Sequence, residues 1–255
     1  MRGIAAVVVV CVVGLVGCTK RADTAPVPVT TAPFVAEFAD AGALGRAVEQ
    51  TARRGTAVQA DLIGDQGERR MTGAASIELD RLDPTVRFTL DTEHGDLTVL
   101  ALGGMVYATQ PGETDPSKLW LEIDQDNRDN PLIQFVVAYS SLDPQRVGAA
   151  IAAAGTTVVA ERDHIAGREL TRYTVQVAKA KLDGDAFWFP AMAFKDVRGE
   201  TFTTEVWVEP GGRIARYQSR LELTKGADFV VKVDYHHWGD LVNIEAPSPG
   251  QVERK

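Results

Sequence analysis

Residues able to do chemistry are few and scattered along this chain. It has four histidines and two cysteines. His236 and His237 are consecutive in a strand-like run, where neighbouring side chains point to opposite faces, so the pair is not expected to chelate one metal. His94 and His164 stand alone. Asp124-Gln125-Asp126-Asn127 opens like a calcium loop, but an EF-hand puts Asp or Asn fifth, glycine sixth and glutamate twelfth. Arg128, Asp129 and Phe135 stand there instead, and the run reads as a solvated acidic loop. No HExxH, GxSxG, phosphate loop or GxGxxG occurs. Acids are plentiful, yet spacing singles out no pair; a carboxylate pair drawn from distant strands stays open, as a hydrolase acting on envelope components. The expectation is a protein that is not an enzyme, with no catalytic residue, no metal and no cofactor.

Cysteine placement is more telling. Met1-Arg2-Gly3 is a short positive start, and Ile4 to Val16 is an uncharged apolar run. A bilayer-spanning helix needs about 20 apolar residues, so this shorter run fits the core of a secretory signal peptide. It ends in Leu15-Val16-Gly17-Cys18, which resembles the lipobox of bacterial lipoproteins. That resemblance implies cleavage before Cys18 and attachment of lipid to its sulfur. Cys11 leaves with residues 1–17, so the mature chain has no free thiol, which excludes thiol catalysis, zinc-thiolate sites and redox relays. Acyl chains on Cys18 suffice for stable anchoring, and the expected location is the extracytoplasmic face of a cell membrane.

The remaining composition is that of a globular protein. The chain has 255 residues, 45% hydrophobic and 24% charged, which excludes wholesale disorder and a polytopic membrane protein. A formal charge of −8 argues against nucleic acid as a partner. Residues 18–37 read as the lipidated cysteine and a flexible tether with Pro26, Pro28 and Pro33, residues 38–246 as one domain, and residues 247–255 as a disordered tail.

Within the domain, Phe38, Ala41, Leu44, Val48 and Thr51 recur at helical spacing, and Gly55 ends that helix. Strands are expected at Ala57–Ile63, Ala75–Leu79, Val86–Leu90, Leu97–Leu102, Met105–Thr109 and Leu119–Ile123, with Gly103-Gly104 as a hairpin turn. Leu132 to Tyr139 is a short apolar helix or loop. Asp143-Pro144 then opens a helix that stops at Gly155. Strands resume at Thr157–Glu161, Glu169–Val177, Thr203–Glu209, Ile214–Leu223, Phe229–Trp238 and Leu241–Ile244. This order predicts an α+β fold: one large curved antiparallel sheet, a half-barrel, with helices packed on its concave side.

Phe187, Trp188, Phe189, Met192 and Phe194 crowd an irregular stretch between strands. Two readings stay open for them, a plug packed onto the core and a lid over an apolar cavity. Alternation on the first strands places Val86, Phe88, Leu90, Leu97, Val99, Leu119, Leu121 and Ile123 on one face, the candidate inner wall of such a cavity.

Gly103-Gly104-Met105-Val106-Tyr107-Ala108 with Leu119-Trp120, Gly167 through Tyr173-Thr174-Val175, Glu205-Val206-Trp207-Val208 with Gly212-Arg213-Ile214, and Trp238-Gly239 occur in that order. With the lipobox, this series resembles the LprG/LppX family of actinobacterial lipoproteins over Asp40 to Pro247. The resemblance implies a LolA-like half-barrel around an apolar cavity. It also implies binding of acylated lipids or glycolipids, their carriage across the envelope, and a membrane transporter as partner. It carries over no catalytic residues. The competing expectation is an interaction or regulatory lipoprotein whose core is filled by side chains and whose surface meets a sensor or wall-assembly protein.

Overall fold

The computed structural model describes residues 34–79, 85–92, 95–109, 112–113, 115, 117, 119–123, 142–182 and 196–253. The leader, Cys18, the acidic run 124–130, the stretch 132–139 and the aromatic stretch 187–194 lie outside the described residues.

Helix α1 (Ala41–Arg54) begins where Asp40 accepts a hydrogen bond from the Ala43 amide at 2.7 Å, and ends where the Gly55 amide donates to Ala52 O at 2.9 Å. Leu44, Val48 and Ala52, spaced by fours, are buried. Helix α2 (Pro144–Ala154) has proline in its first turn, Asp143 as cap and Gly155 as stop. Leu142 and Val147, placed to staple its start, are both buried.

The strands are β1 (Ala57–Gln66), β2 (Arg69–Glu78), β3 (Thr85–Thr92), β4 (Gly95–Leu102), β5 (Met105–Thr109), β6 (Trp120–Ile123), β7 (Gly155–Ile165), β8 (Arg168–Ala178), β9 (Thr201–Val208), β10 (Ile214–Leu221), β11 (Phe229–His236) and β12 (Val252–Glu253). They form one sheet in the order β12-β6-β5-β4-β3-β2-β1-β11-β10-β9-β8-β7. Two meanders, β1–β6 and β7–β11, meet along an antiparallel β1–β11 seam. Only β12 is parallel to its neighbour.

Register fixes which face is apolar. Leu97, Leu90, Gly73, Leu62, Val233, Tyr217, Val206, Tyr173 and Ala160 stand opposite one another in a continuous line from β4 to β7. Every side chain in that line belongs to the main core or packs against it, as do Leu44, Val48, Val147 and Ile151 from the helices. Both helices therefore lie on this inner face. A flat sheet of twelve strands would be about 50 Å wide, far more than the two helices among the described residues, each roughly 10 Å in diameter, cover. Curling around the helices keeps the inner face dry, and the two free ends at β7 and β12 leave an open half-barrel rather than a closed one.

The outer face is polar. Glu161, Arg172, Trp207, Arg216, Asp234 and Asp61 follow one another across six strands. Arg172 pairs with Glu161 at 2.5 Å, and Arg216 with Asp234. The Trp207 indole donates to Asp163 at 2.8 Å, and this hydrogen bond holds the Asp163 carboxyl below its ordinary range.

Three expectations need correction. Leu241–Ile244 is not a strand; the Gly239 amide donates to Ala57 O at 2.9 Å and the Ile244 amide to Glu78 Oε1 at 3.2 Å, so this segment lies across the ends of β1 and β2. The expected disordered tail is ordered through Glu253: residues 249–251 form a 3-10 turn, and Val252 and Glu253 pair with Trp120 and Leu121. Short β6 offers an open edge, and these backbone groups satisfy it. Ending the chain at Pro247 is expected to raise light scattering on heating relative to the intact chain; equal scattering would count against this role for β12. Finally, the tether stops short of Phe34. Phe34 lies 5.5 Å beneath the Arg162 guanidinium, Ala36 packs on the core, and the Gly211 amide donates to Glu37 at 3.1 Å.

Candidate ligand-binding wall

Strand pairing brings most of the expected wall together. Val86 stands opposite Ala101, Phe88 opposite Val99 and Leu90 opposite Leu97, all on the inner face. These residues and Ile123 are buried, Phe88 and Val99 to 1% exposure. Leu121 lies opposite Ala108, on the same side as Ile123, and is half-buried. Leu119 precedes β6 and is half-buried. The expected lid residues Phe187, Trp188, Phe189, Met192 and Phe194 are outside the described residues.

The wall continues through a second half that sequence reasoning missed. Tyr173, Val206, Tyr217, Val233 and Tyr235 line it on β8–β11. The signal was the alternation Tyr217, Ser219, Leu221 on β10, masked because one inward residue is polar. Ser219 is 2% exposed and Thr204 1%. Ser219 Oγ donates to the Tyr217 phenol at 2.7 Å and lies 2.7 Å from Thr204 Oγ1. Burial raises the Tyr217 phenol above its ordinary range.

At the helix side stands Asp143, 1% exposed. One carboxylate oxygen accepts from the Gln145 amide at 2.8 Å, capping α2. The other, Oδ2, faces the Arg146 Nε at 3.4 Å. Burial outweighs the Gln145 and Arg146 amides and the Arg146 and Arg53 charges, and pushes the carboxyl up to about 6. Gln145 reaches across to donate to Leu79 O at 3.1 Å, joining α2 to the end of β2. Tyr235 is 1% exposed and its hydroxyl has no hydrogen-bond partner. Burial lifts this phenol well above its ordinary range, and the negative charges of Asp143 and Tyr217 add to the shift.

The histidine pair behaves differently from expectation. His237 leaves the strand with φ at +53°, so its ring comes back beside His236, 4.8 Å away and edge-on. His236 Nε2 lies 3.3 Å from Asp61 and His237 Nδ1 2.9 Å from Asp240. Among the described residues no cluster of three or more His, Cys, Asp or Glu is placed to hold a metal. No described helix is long and apolar enough to cross a membrane.

No protein-family model matches the chain, and no curated protein does. Solved structures do. An uncharacterized conserved protein from Thermus thermophilus superposes with a TM-score of 0.42 at 11% identity, over 83% of this chain and 97% of that one. The MucA/MucB complex of Pseudomonas aeruginosa gives 0.37 at 12% identity, over 77% of this chain and 57% of the other. LprF from Mycobacterium bovis gives 0.51 at 14% identity, over 82% of this chain and 96% of LprF. Only LprF of these three exceeds one half, and the match spans most of both chains: this chain has the fold of LprF.

Proposed function

We propose that this chain is a membrane-anchored extracytoplasmic lipoprotein that binds an acylated lipid or glycolipid against its inner wall and carries or presents it across the envelope. The observation that carries the reading is the open sheet whose inner face is mainly apolar from β6 to β8, interrupted at Thr204 and Ser219, with two helices against it among the described residues. Each buried methylene is worth about 0.8 kcal/mol, so a 16-carbon chain resists leaving an apolar phase by roughly 12 kcal/mol. A protein wall on a tether lowers that barrier with no reaction chemistry, and the reading is of a carrier rather than an enzyme. Cys18 supplies the anchor, and a membrane transporter is the natural acceptor of the cargo.

A second reading has its own support. Val86, Phe88 and Val99 are each 1% exposed, so protein already covers them and an acyl chain enters only by displacing it. A filled core suits an interaction lipoprotein that meets a sensor or wall-assembly protein. Native mass spectrometry of residues 19–255, purified from a related host, separates the two. The carrier reading expects a stoichiometric adduct that organic solvent extracts as an acylated lipid. A bare mass that also ignores added lipids turns the conclusion to the interaction module. In the same host, Cys18→Ala in the full chain is expected to move the protein out of the membrane fraction; retention there would remove the anchor from this account.

A further inference from the structure

Among the described residues the large apolar side chains left exposed are Phe34, Val35, Met71, Met105, Val159 and Leu241. Scattered singly they would mean little, but four of them share one end of the sheet. Register traces that end from strand to strand. Arg162 on β7 stands opposite Thr171, Thr171 opposite Val208, and Val208 opposite Ile214. The same end continues where Gln59 meets His236, Ala57 meets Glu78, Glu78 meets Thr85, Val86 meets Ala101 and Leu102 meets Met105. Phe34 lies under Arg162, and Val35 beside it is 81% exposed. Leu241 is 96% exposed. It lies between Gly239 and Ile244, whose amides bond Ala57 O and the Glu78 side chain at this same end. Met105 opens β5 there. Of the other two, Met71 lies toward the β1–β2 turn at the opposite end, and Val159 lies within β7.

The chain also enters the domain at this rim. Residues 19–33 lead from Cys18 to Phe34, and fully extended they span at most about 50 Å. The opposite rim is about 35 Å further off, the length of the eleven-residue β7. The anchor therefore holds the Phe34 rim closest to its own bilayer. A surface tethered at this range meets its target at an effective concentration of about a millimolar, so a few apolar side chains suffice. We propose that this rim seats on the bilayer that holds Cys18, with Leu241, Val35 and Met105 in the headgroup region. The proposal rests on the Cys18 anchor in the reading above and not on what the inner wall carries. Arg168 and Arg213 at the rim both pair with Glu209, and the chain has a formal charge of −8. Apolar contact, not attraction to anionic headgroups, holds the rim in place. Seated in this way, the inner wall ends at the bilayer surface.

The test uses the full lipoprotein, purified from host membranes and reconstituted into phosphatidylcholine vesicles with a nitroxide on some headgroups. The mature chain has no free thiol, so Leu241→Cys, Met105→Cys and Met71→Cys each accept a single NBD label. Val35 is left unlabelled, because closeness to the anchor alone would quench it. Quenching at positions 241 and 105 is expected to exceed that at 71 by about fivefold, as for groups held near the headgroup boundary. High salt is expected to leave it unchanged. Adding Leu241→Asp and Val35→Asp to the Met105→Cys chain is expected to cut its quenching about threefold. Equal quenching at all three positions, quenching at 105 that ignores the two aspartates, or quenching abolished by salt would overturn the seating. A chain that does not float with the vesicles would remove the Cys18 anchor and the seating with it, and flotation reads that result separately from the labels.

Discussion

Gly45→Ala and Gly148→Ala are each expected to cost the fold about 3 kcal/mol, at the upper end of the usual range for overpacking, and Gly148→Leu is expected to leave no cooperative unfolding transition. The reason is how closely α1 and α2 cross. A Cβ on Gly45 would stand 2.3 Å from Ala152 N and 2.5 Å from Gly148 O; one on Gly148 would stand 2.5 Å from Glu49 N and 2.7 Å from Gly45 O. Those are backbone atoms, so no side-chain rotation relieves the clash and the helices must separate. That cost overrides the roughly 1 kcal/mol by which alanine normally improves on glycine inside a helix. Gly42→Ala is the control. Its Cβ would meet the Arg46 guanidinium, which can swing away, and the Asp40 cap oxygen, both at 3.1 Å and neither a backbone atom. It should change stability by no more than about 1 kcal/mol. Urea denaturation of the three alanine variants reads the result, and equal stabilities would mean the helices do not meet backbone to backbone. Backbones this close leave no room for a ligand between α1 and α2.

Stability should fall as pH rises from about 4 to about 6, and Asp143→Asn should remove that slope. The folded state holds the Asp143 proton more tightly than the unfolded chain, because burial pushes the carboxyl from 3.8 up to about 6. Below the unfolded value both states are protonated and the group costs nothing. As pH rises through the folded value, the buried carboxyl must ionise, and the stability it allowed is lost. A shift of about two pH units corresponds to about 3 kcal/mol. Asparagine caps a helix as well as aspartate does, so the variant keeps the bond to the Gln145 amide and loses only the titration. Parallel wild-type and variant curves in urea melts across this pH window would refute the assignment.

Much of this architecture was legible because local chemistry and tertiary context agree. Arg87 and Thr89 between Val86, Phe88 and Leu90 mark a half-buried strand, and the register puts those three on the inner face. Gly55, Asp143 and Gly155 bound their helices as capping rules demand, whereas the first helix begins at Ala41 behind an Asp40 cap that the Phe38 spacing did not indicate. Gly103 and Gly104 take φ of 58° and 78°, as a tight hairpin needs. What was hidden depends on contacts distant in the chain. The first half of β2, Arg69-Arg70-Met71-Thr72, has no apolar alternation and is a strand because it continues the hairpin with β1. The tail lacks strand character, and pairing with β6 alone orders it. Half of the wall was read from β3, β4 and β6. Its other half, with Tyr235 beside His236 and Ser219 facing inward, looks like surface until the register is known. Gly45 and Gly148 carry no side chain to show a packing face, and they are where the two helices meet backbone to backbone.

The β1–β11 seam determines when this protein can finish folding. Each meander is built from neighbours in sequence, and hairpins of that kind form in microseconds. The seam, from Gln59 opposite His236 to Gln66 opposite Phe229, joins ends of the chain that emerge last and first. Contacts across so long a loop form slowly. Until β11 arrives, β1 presents an unsatisfied edge with Leu62 and Ile63 on it, and α1 lacks the Gly211 carbonyl that receives the Thr51 hydroxyl at 3.0 Å. The first half of the chain therefore leaves that edge unpaired until the second half is made, and on its own it is expected to aggregate.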